Sequence, residues 1–186
     1  MRVIAGELKG RRLRSPEGRE VRPTTDKVKE AVFSMLLPYM EEGFTAIDLF
    51  AGSGGLGIEA ISRGAGLVYF SDSSRDSIAL VKENLAHCNV LEKGVLLLGD
   101  FKSNIKRIRG QADVVFMDPP YAEGFLLPAL DALDARDSVA PGGAVVCEHS
   151  KREELPDEYA GFRKVKDRLY GSIAVTIYER EAEYDA

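Results

Sequence analysis

The sequence is poor in the residues that form disulfide frameworks and metal centres. Its 186 residues include two cysteines and two histidines, whereas a structural zinc site needs about four ligands at compatible spacing. These residues form two distant pairs, His87 with Cys88 and Cys147 with His149. We therefore expect no disulfide framework and no metal, and we interpret both cysteines as small buried apolar residues.

Long apolar runs are also missing. No stretch approaches the roughly 18 residues of a membrane span, and the N-terminus lacks the apolar core of a secretory signal. Neither an internal repeat nor a low-complexity linker interrupts the chain. The apolar fraction of 45% and the charged fraction of 30% are ordinary for one globular domain. These features exclude collagenous, disulfide-rich, membrane and disordered classes, and we expect a soluble, cytoplasmic monomer.

Positive charge is concentrated at one end of an otherwise acidic chain. The net charge is −5, yet residues 1–24 carry seven basic and three acidic residues, which makes that segment +4 and the remainder −9. A basic segment on an acidic body indicates a polyanionic partner, such as nucleic acid, that is bound at one end. A solvated charged surface is the alternative interpretation.

The order of apolar runs and turns predicts an α/β fold. Residues 1–22 predict a β-rich arm, and a helix follows that Thr24 or Thr25 can cap and Pro38 ends. From Phe44 onward, strands and helices alternate, which predicts a parallel sheet covered on both faces. Two closing strands around residues 170–172 predict an antiparallel hairpin. Ligands of such sheets bind beyond the carboxyl ends of the strands.

A glycine-rich turn follows the first strand of the alternating region. The segment Gly52–Gly57 satisfies G-x-G-x-x-G, and Asp72 ends the next strand 20 residues after Gly52. On this motif alone, NAD, S-adenosylmethionine and a tight turn without a ligand stay open. Asp48, four residues before Gly52, favours S-adenosylmethionine, because a carboxylate repels an anionic pyrophosphate and attracts a cationic sulfonium and ammonium. Asp48 can also cap the amides of the loop.

A second motif, Asp118-Pro119-Pro120-Tyr121, follows a later strand. Two successive prolines stiffen the turn and leave carbonyl oxygens free to accept hydrogen bonds. Asp118 and the Pro119 carbonyl can accept both hydrogens of an exocyclic amine, while Tyr121 can stack on the base. Such hydrogen bonds draw the delocalised lone pair of the amine towards a methyl donor. A proline-rich turn without chemistry is the alternative, although the order of strands brings this motif beside the glycine loop.

With these motifs, the sequence resembles the RsmD family, the 16S rRNA guanine(966)-N2 methyltransferases, over nearly its whole length. The glycine loop and the DPPY tetrad are shared with many methyltransferases, whereas the N-terminal segments are more specific. The matching segments are Met1–Gly6 with Gly10–Leu13, Arg22–Asp26 with Glu30–Phe33, Asp48–Gly54, Asp118–Tyr121, and Tyr170-Gly171 with Ile177-Tyr178.

The resemblance implies a Rossmann-like class I methyltransferase fold with a seven-stranded, mostly parallel sheet, a C-terminal antiparallel hairpin and an N-terminal β-rich arm. It implies an arm at residues 1–24 that contacts rRNA and a methyltransferase domain at residues 25–186, packed as one compact unit. The implied reaction transfers a methyl group from S-adenosylmethionine to the N2 amine of a guanine in 16S rRNA, within the small subunit or an assembly intermediate.

The family motifs also imply roles for individual residues. The implied catalytic residues are Asp118, Pro119, Pro120 and Tyr121. The implied cofactor-binding residues are Asp48, Phe50, Ala51, Gly52, Ser53, Gly54, Gly57, Asp72 and Asp100. The implied RNA-binding residues are Arg2, Lys9, Arg11, Arg12, Arg22 and Thr24.

One position departs from the family pattern. Asp72 stands where the family usually has glutamate, so the carboxylate that would bind the ribose is one methylene shorter. Two other functions remain compatible with the motifs. One is an N6-adenine methyltransferase acting on DNA or RNA, because DPPY suits any exocyclic amine. The other is a non-catalytic RNA-binding assembly factor with a vestigial cofactor site.

Overall fold

The computed structural model of the protein describes residues 1–16, 26–120 and 124–182. The α-helices of this described part are α1 (Asp26–Leu36), α2 (Gly55–Ser62), α3 (Arg75–His87), α4 (Phe101–Ile105) and α5 (Leu126–Ala135). The strands are β1 (Thr45–Asp48), β2 (Leu67–Asp72), β3 (Gly94–Leu98), β4 (Ala112–Met117), β5 (Val139–Ser150), β6 (Glu158–Tyr159), β7 (Phe162–Tyr170) and β8 (Ile173–Arg180). Within these ranges no helix has the length and apolar character needed to cross a membrane.

All the strands of the described residues form one sheet in the order β3-β2-β1-β4-β5-β8-β7-β6. Strands β1 to β5 pair in parallel, and β8 then pairs antiparallel with both β5 and β7. The predicted parallel sheet and closing hairpin are confirmed. The sheet has 8 strands rather than seven, because the two residues of β6 pair with the start of β7 and add a short edge strand.

The central strands are buried on both faces, which explains their continuous apolar runs. Along β4, Phe116 packs under α1, where its ring centroid lies 5.4 Å from that of Phe33. Its neighbours Val115 and Met117 belong to the opposite core cluster, which contains α4 and α5. Both cysteines are buried and unpaired, as the sequence predicts.

The arm contains less β-structure than the sequence predicts. Over residues 1–16 the structure has one isolated antiparallel bridge, between Arg2 and Arg12. Gly6 and Gly10 turn the chain with φ values of 85° and 86°, and much of the backbone bonds to helices instead of to a second strand. Leu8 N donates to Ser62 Oγ at 2.9 Å, for example.

A buried carboxylate on α2 anchors the arm. Glu59 is fully buried and accepts hydrogen bonds from the backbone amides of Ile4 at 3.0 Å and Ala5 at 3.2 Å. Two cations offset its charge, because Arg63 Nη2 lies 2.9 Å and Lys29 Nζ 3.5 Å from its oxygens. Burial lowers the pKa of Lys29 from its ordinary value despite this partner.

A buried amide links the arm to the glycine loop. Asn84 on α3 accepts from Arg14 N at 2.8 Å and donates through Nδ2 to Arg14 O at 3.1 Å. The same Nδ2 donates to Ser53 O at 2.9 Å. One side chain therefore bonds both to the arm, which is predicted to contact RNA, and to the glycine loop, which is predicted to bind the cofactor.

Candidate active site

The glycine loop closes around Asp48 at the end of β1. Gly57 N donates to Asp48 Oδ2 at 2.9 Å. This carboxylate therefore caps an amide of the loop, which is one of the two roles predicted for it. Position 54 requires glycine because the backbone there has a φ of 87°, in the left-handed region that other residues rarely adopt. At Gly57, a Cβ would lie 2.3 Å from the ring of Phe70, so α2 packs closely on the sheet only without a side chain there.

Asp72 holds the other side of the same loop. Its Oδ2 accepts from Gly52 N at 2.9 Å, and its Oδ1 accepts from Ser74 N at 2.8 Å. A Cβ built on Gly52 would meet no atom within 4 Å, so the loop leaves open space on its cleft side. Each carboxylate oxygen keeps a further lone pair. The shorter aspartate thus braces the loop and can still accept hydroxyl hydrogens.

Burial changes the ionisation of Asp48. Its exposure is 2%, and burial raises its pKa from 3.8 to about 7. The Gly57 amide and the charge of Lys29 favour the ionised form, while the charge of Asp72 opposes it. A cation bound in the cleft would therefore favour an ionised Asp48.

Asp118 follows β4, the strand beside β1, which confirms that this motif lies next to the glycine-loop strand. Burial and the charges of Glu148 and Asp48 raise the pKa of Asp118 well above its ordinary value. Pro119 is buried and Pro120 exposed. Tyr121 lies outside the described residues.

One cleft collects most of the predicted residues. Its volume is about 1820 Å³, larger than the roughly 300–1,000 Å³ usual for a single small-molecule site. The predicted residues that line it are Asp48, Phe50, Ala51, Gly52, Ser53, Asp72, Asp100, Asp118, Pro119 and Pro120. Gly54 and Gly57 are not part of the lining and act through the loop conformation.

Asp100 has a structural partner of its own. It precedes α4 and accepts from Ser103 N at 2.9 Å and from Ser103 Oγ at 2.7 Å. These hydrogen bonds lower the pKa of Asp100. The residue thus caps a helix at the edge of the cleft.

An aromatic cluster beside Asp100 was only partly predicted. The rings of Phe50, Phe101 and Phe125 line the cleft with centroids 5.6 to 5.8 Å apart. Phe50 belongs to the predicted cofactor set, whereas Phe101 and Phe125 do not. Both missed residues stand at a helix start that follows a strand, a position that could have identified them. The cluster offers an apolar wall to a planar ring.

The described basic residues of the arm are exposed at its surface. Lys9 and Arg12 are exposed, Arg2 Nη2 pairs with Asp26 Oδ2 at 3.1 Å, and Arg11 Nη1 donates to His87 O at 3.5 Å. Arg22 and Thr24 lie outside the described residues. In residues 1–16, 26–120 and 124–182, no group of three or more histidines, cysteines or acids could hold a metal.

The sheet order and the glycine loop after β1 are those of the class I methyltransferase fold. The structure superimposes on that of "Putative methyltransferase yhhF from Escherichia coli" with a TM-score of 0.87 and 29% identity, over 98% of this chain and 99% of that one. The chain belongs to the family described as Conserved hypothetical protein 95, the RsmD family, whose sequence model matches residues 1–179.

Two relatives extend over nearly the whole chain. "Putative rRNA methyltransferase YlbH" of Bacillus subtilis (strain 168) is 39% identical over 184 residues, covering 97% of this chain and 99% of its own. "Ribosomal RNA small subunit methyltransferase D" of Escherichia coli (strain K12) is 30% identical over 187 residues, covering 98% and 91%. This chain is therefore similar to these proteins over nearly its whole length.

Proposed function

We propose that this protein transfers a methyl group from S-adenosylmethionine to the exocyclic N2 amine of a guanine in small-subunit rRNA. The observation that carries the proposal is the single cleft that holds the glycine loop, Asp48 and Asp72 together with Asp118-Pro119-Pro120. The names of the relatives support rRNA as the substrate. Such a substrate implies a cytoplasmic enzyme that works on the small subunit or an assembly intermediate.

The glycine-loop side of the cleft fits S-adenosylmethionine. Bound there, this molecule supplies an electrophilic methyl group on a cationic sulfonium. Asp48 would attract the cationic methionine part, Asp72 would accept ribose hydroxyls, and the phenylalanine cluster would contact the adenine. No step of this binding needs a metal, so calorimetry on chelator-treated protein should detect it. Binding that returned only with a divalent ion would contradict this part of the proposal.

The catalytic residues act on the geometry of the amine. Asp118 and the Pro119 carbonyl accept its two hydrogens, so the nitrogen lone pair turns out of the plane of the base. When the nitrogen forms its bond to the methyl carbon, the carbon–sulfur bond breaks and its electron pair stays on the sulfur. The nitrogen then gives up one proton, and Asp118 Oδ, which accepts that hydrogen, is the base. Tyr121 stacks on the base, which is worth about 1–3 kcal/mol. The basic arm holds phosphates of the RNA.

Two alternatives predict different products. An N6-adenine methyltransferase would yield N6-methyladenine, and a non-catalytic assembly factor would bind RNA without turnover. The deciding experiment incubates the protein with S-adenosylmethionine and unmethylated small subunits or 16S rRNA, digests the RNA and identifies the modified nucleoside by mass. N2-methylguanosine would support the proposal, whereas N6-methyladenosine or no product would refute it.

The role of Asp118 has its own test. In single turnovers with saturating RNA, Asp118→Ala should be slower by more than about 100-fold, the low end for a positioned polar catalytic group. Asp118→Asn serves as the matched variant of nearly equal volume, and it should be similarly slow because an amide cannot take the proton. Cofactor affinity should survive both changes. Near-normal rates would reduce Asp118 to a turn-forming residue.

A further inference from the structure

A second carboxylate stands beside Asp118. Met117, the last residue of β4, is the register partner of Cys147 on β5, so Asp118 directly follows one member of this pair and Glu148 the other. Neighbouring strands lie about 4.8 Å apart. Glu148 also lines the cleft, but the proposed activation of the amine uses only Asp118 and the Pro119 carbonyl.

Both carboxylates lie on the same face of the sheet. Phe116 and Val146, two residues earlier on each strand, pack in the core cluster that contains α1 and α2. Side chains of a strand repeat every two residues, so Asp118 and Glu148 face these helices too. A small cavity of about 10 Å³, which shares Leu56, Asp118 and Glu148 with the lining of the cleft, is also lined by Val32, Phe116, Met117 and Val146.

The two groups interact electrostatically. Glu148 is only 7% exposed, and its charge is the second cause, after burial, of the raised pKa of Asp118. Two neighbouring carboxylates that are largely removed from water are stabilised by a ligand that brings hydrogen-bond donors to both. The chemistry of the pair therefore selects a base edge that carries adjacent donors.

Guanine has such an edge and adenine does not. In guanine the N2 amine adjoins the N1–H, so two neighbouring groups both donate. In adenine the N6 amine adjoins an unprotonated N1, whose lone pair would face a carboxylate. We propose that Glu148 determines specificity by accepting the N1–H of a guanine whose N2 amine lies at Asp118. This inference rests on the proposed function and names the group that separates it from the adenine alternative.

A base analogue tests the contact without any change to the protein. 2-Aminopurine carries the amine at position 2 but has an unprotonated N1. RNA fragments spanning the methylated nucleotide are synthesised with guanine or 2-aminopurine at that position, and kcat/KM is measured for each. The unmodified enzyme should prefer guanine by at least about 10-fold, since hydrogen bonds to charged groups contribute this much and an unmade one is penalised. Equal use of both bases would overturn the proposal.

Variants locate the preference at one side chain. Glu148→Gln should bring the guanine to 2-aminopurine ratio close to one, because the amide can accept from N1–H or donate to an unprotonated N1. Glu148→Asp keeps the acceptor and should keep the direction of the preference at a lower rate. Glu153→Gln removes another cleft-lining carboxylate and should leave the ratio unchanged.

The ratio is taken within each enzyme, so it does not depend on how much protein is active. Guanine methylation with an undiminished ratio in Glu148→Gln would overturn the role of Glu148 alone. Failure of the unmodified enzyme to methylate guanine in rRNA would overturn the proposed function, and with it this inference. If Glu148→Gln does not fold, equal use of both bases by the unmodified enzyme still overturns the proposal. Glu148→Asp, whose shorter side chain weakens the contact, should then show a smaller guanine to 2-aminopurine ratio than the unmodified enzyme, and an unchanged ratio would overturn the role of Glu148.

Discussion

Replacing Asp48 by asparagine should stabilise the free protein and weaken cofactor binding. The carboxylate is 2% exposed, and burial raises its pKa from 3.8 to about 7. The folded state therefore holds a proton that the unfolded chain releases, and stability falls as the pH rises between these two values. The asparagine variant has no charge to bury at this position, so its stability does not fall with pH for this reason.

The size of the effect follows from the two pKa values of Asp48, 3.8 and about 7. At about 1.4 kcal/mol per pKa unit, the carboxylate costs the folded state up to about 4 kcal/mol above pH 7. The carboxamide can still accept from Gly57 N, but its new N–H groups need partners in the cleft, which offsets part of the gain. We expect the free energy of unfolding of Asp48→Asn to exceed that of the unmodified protein by about 1–3 kcal/mol at pH 8.

The assay is urea denaturation of the ligand-free protein at several pH values. The difference between variant and unmodified protein should be small below about pH 4, grow towards pH 7 and then level off. Asp76→Asn, which removes the same charge from an exposed position, should show no such growth. S-adenosylmethionine should bind Asp48→Asn at least about 10-fold more weakly, because a charge-assisted contact is lost. A variant less stable than the unmodified protein at pH 8 would refute the reasoning.

Three further predictions concern the arm and the chemistry. Glu59→Gln should lower the free energy of unfolding by about 3–5 kcal/mol, because it leaves buried cations unpaired; a loss below about 1 kcal/mol in urea denaturation would contradict this. Glu substitutions at Arg11 and Arg12 should weaken RNA binding and flatten its salt dependence with cofactor affinity unchanged; equal losses of both affinities, measured by calorimetry, would show a structural role instead. The single-turnover rate should rise with pH up to values well above the ordinary pKa of a carboxyl group. The reason is that the pKa of Asp118 is raised and that only its ionised form accepts the amine hydrogens. A flat rate profile from about pH 5 to 9 would argue against that role.

Periodicity and glycine position predicted most of the fold. The strands β1 to β5 read as short apolar runs followed by turns, and such runs are typical of parallel strands buried on both faces. The edge strand β6 was not predicted, because a strand of two residues, Glu158 and Tyr159, is too short to show an alternating pattern. In the arm, short segments on either side of glycine turns suggested strands. Much of the backbone there bonds to Glu59 and Ser62 instead, and contacts so distant in sequence leave no local signal.

The site was predictable where chemistry depends on local motifs. Asp48 and Asp72 end β1 and β2, and Gly52 follows β1, so the three lie close together because sheet topology brings the carboxyl ends of parallel strands to one edge. Glu148 was missed because no motif surrounds it, and its position beside Asp118 depends on the register between β4 and β5. Asn84 likewise sits mid-helix, where the sequence gives no sign of its bond to Ser53.

The anchoring of the arm has a consequence for the order of events during biosynthesis. Its hydrogen-bond partners come late, since Ile4 and Glu59 are 55 positions apart and Arg14 and Asn84 are 70 apart. At about 5–20 residues per second, a ribosome needs roughly 4 to 14 seconds to cover the longer interval. Until then the arm lacks the contact of Arg14 with Asn84, although Glu59 and Ser62, its partners on α2, have already been made. The nascent chain thus carries a basic, partly apolar segment whose last anchoring contact forms only after α3 has been made.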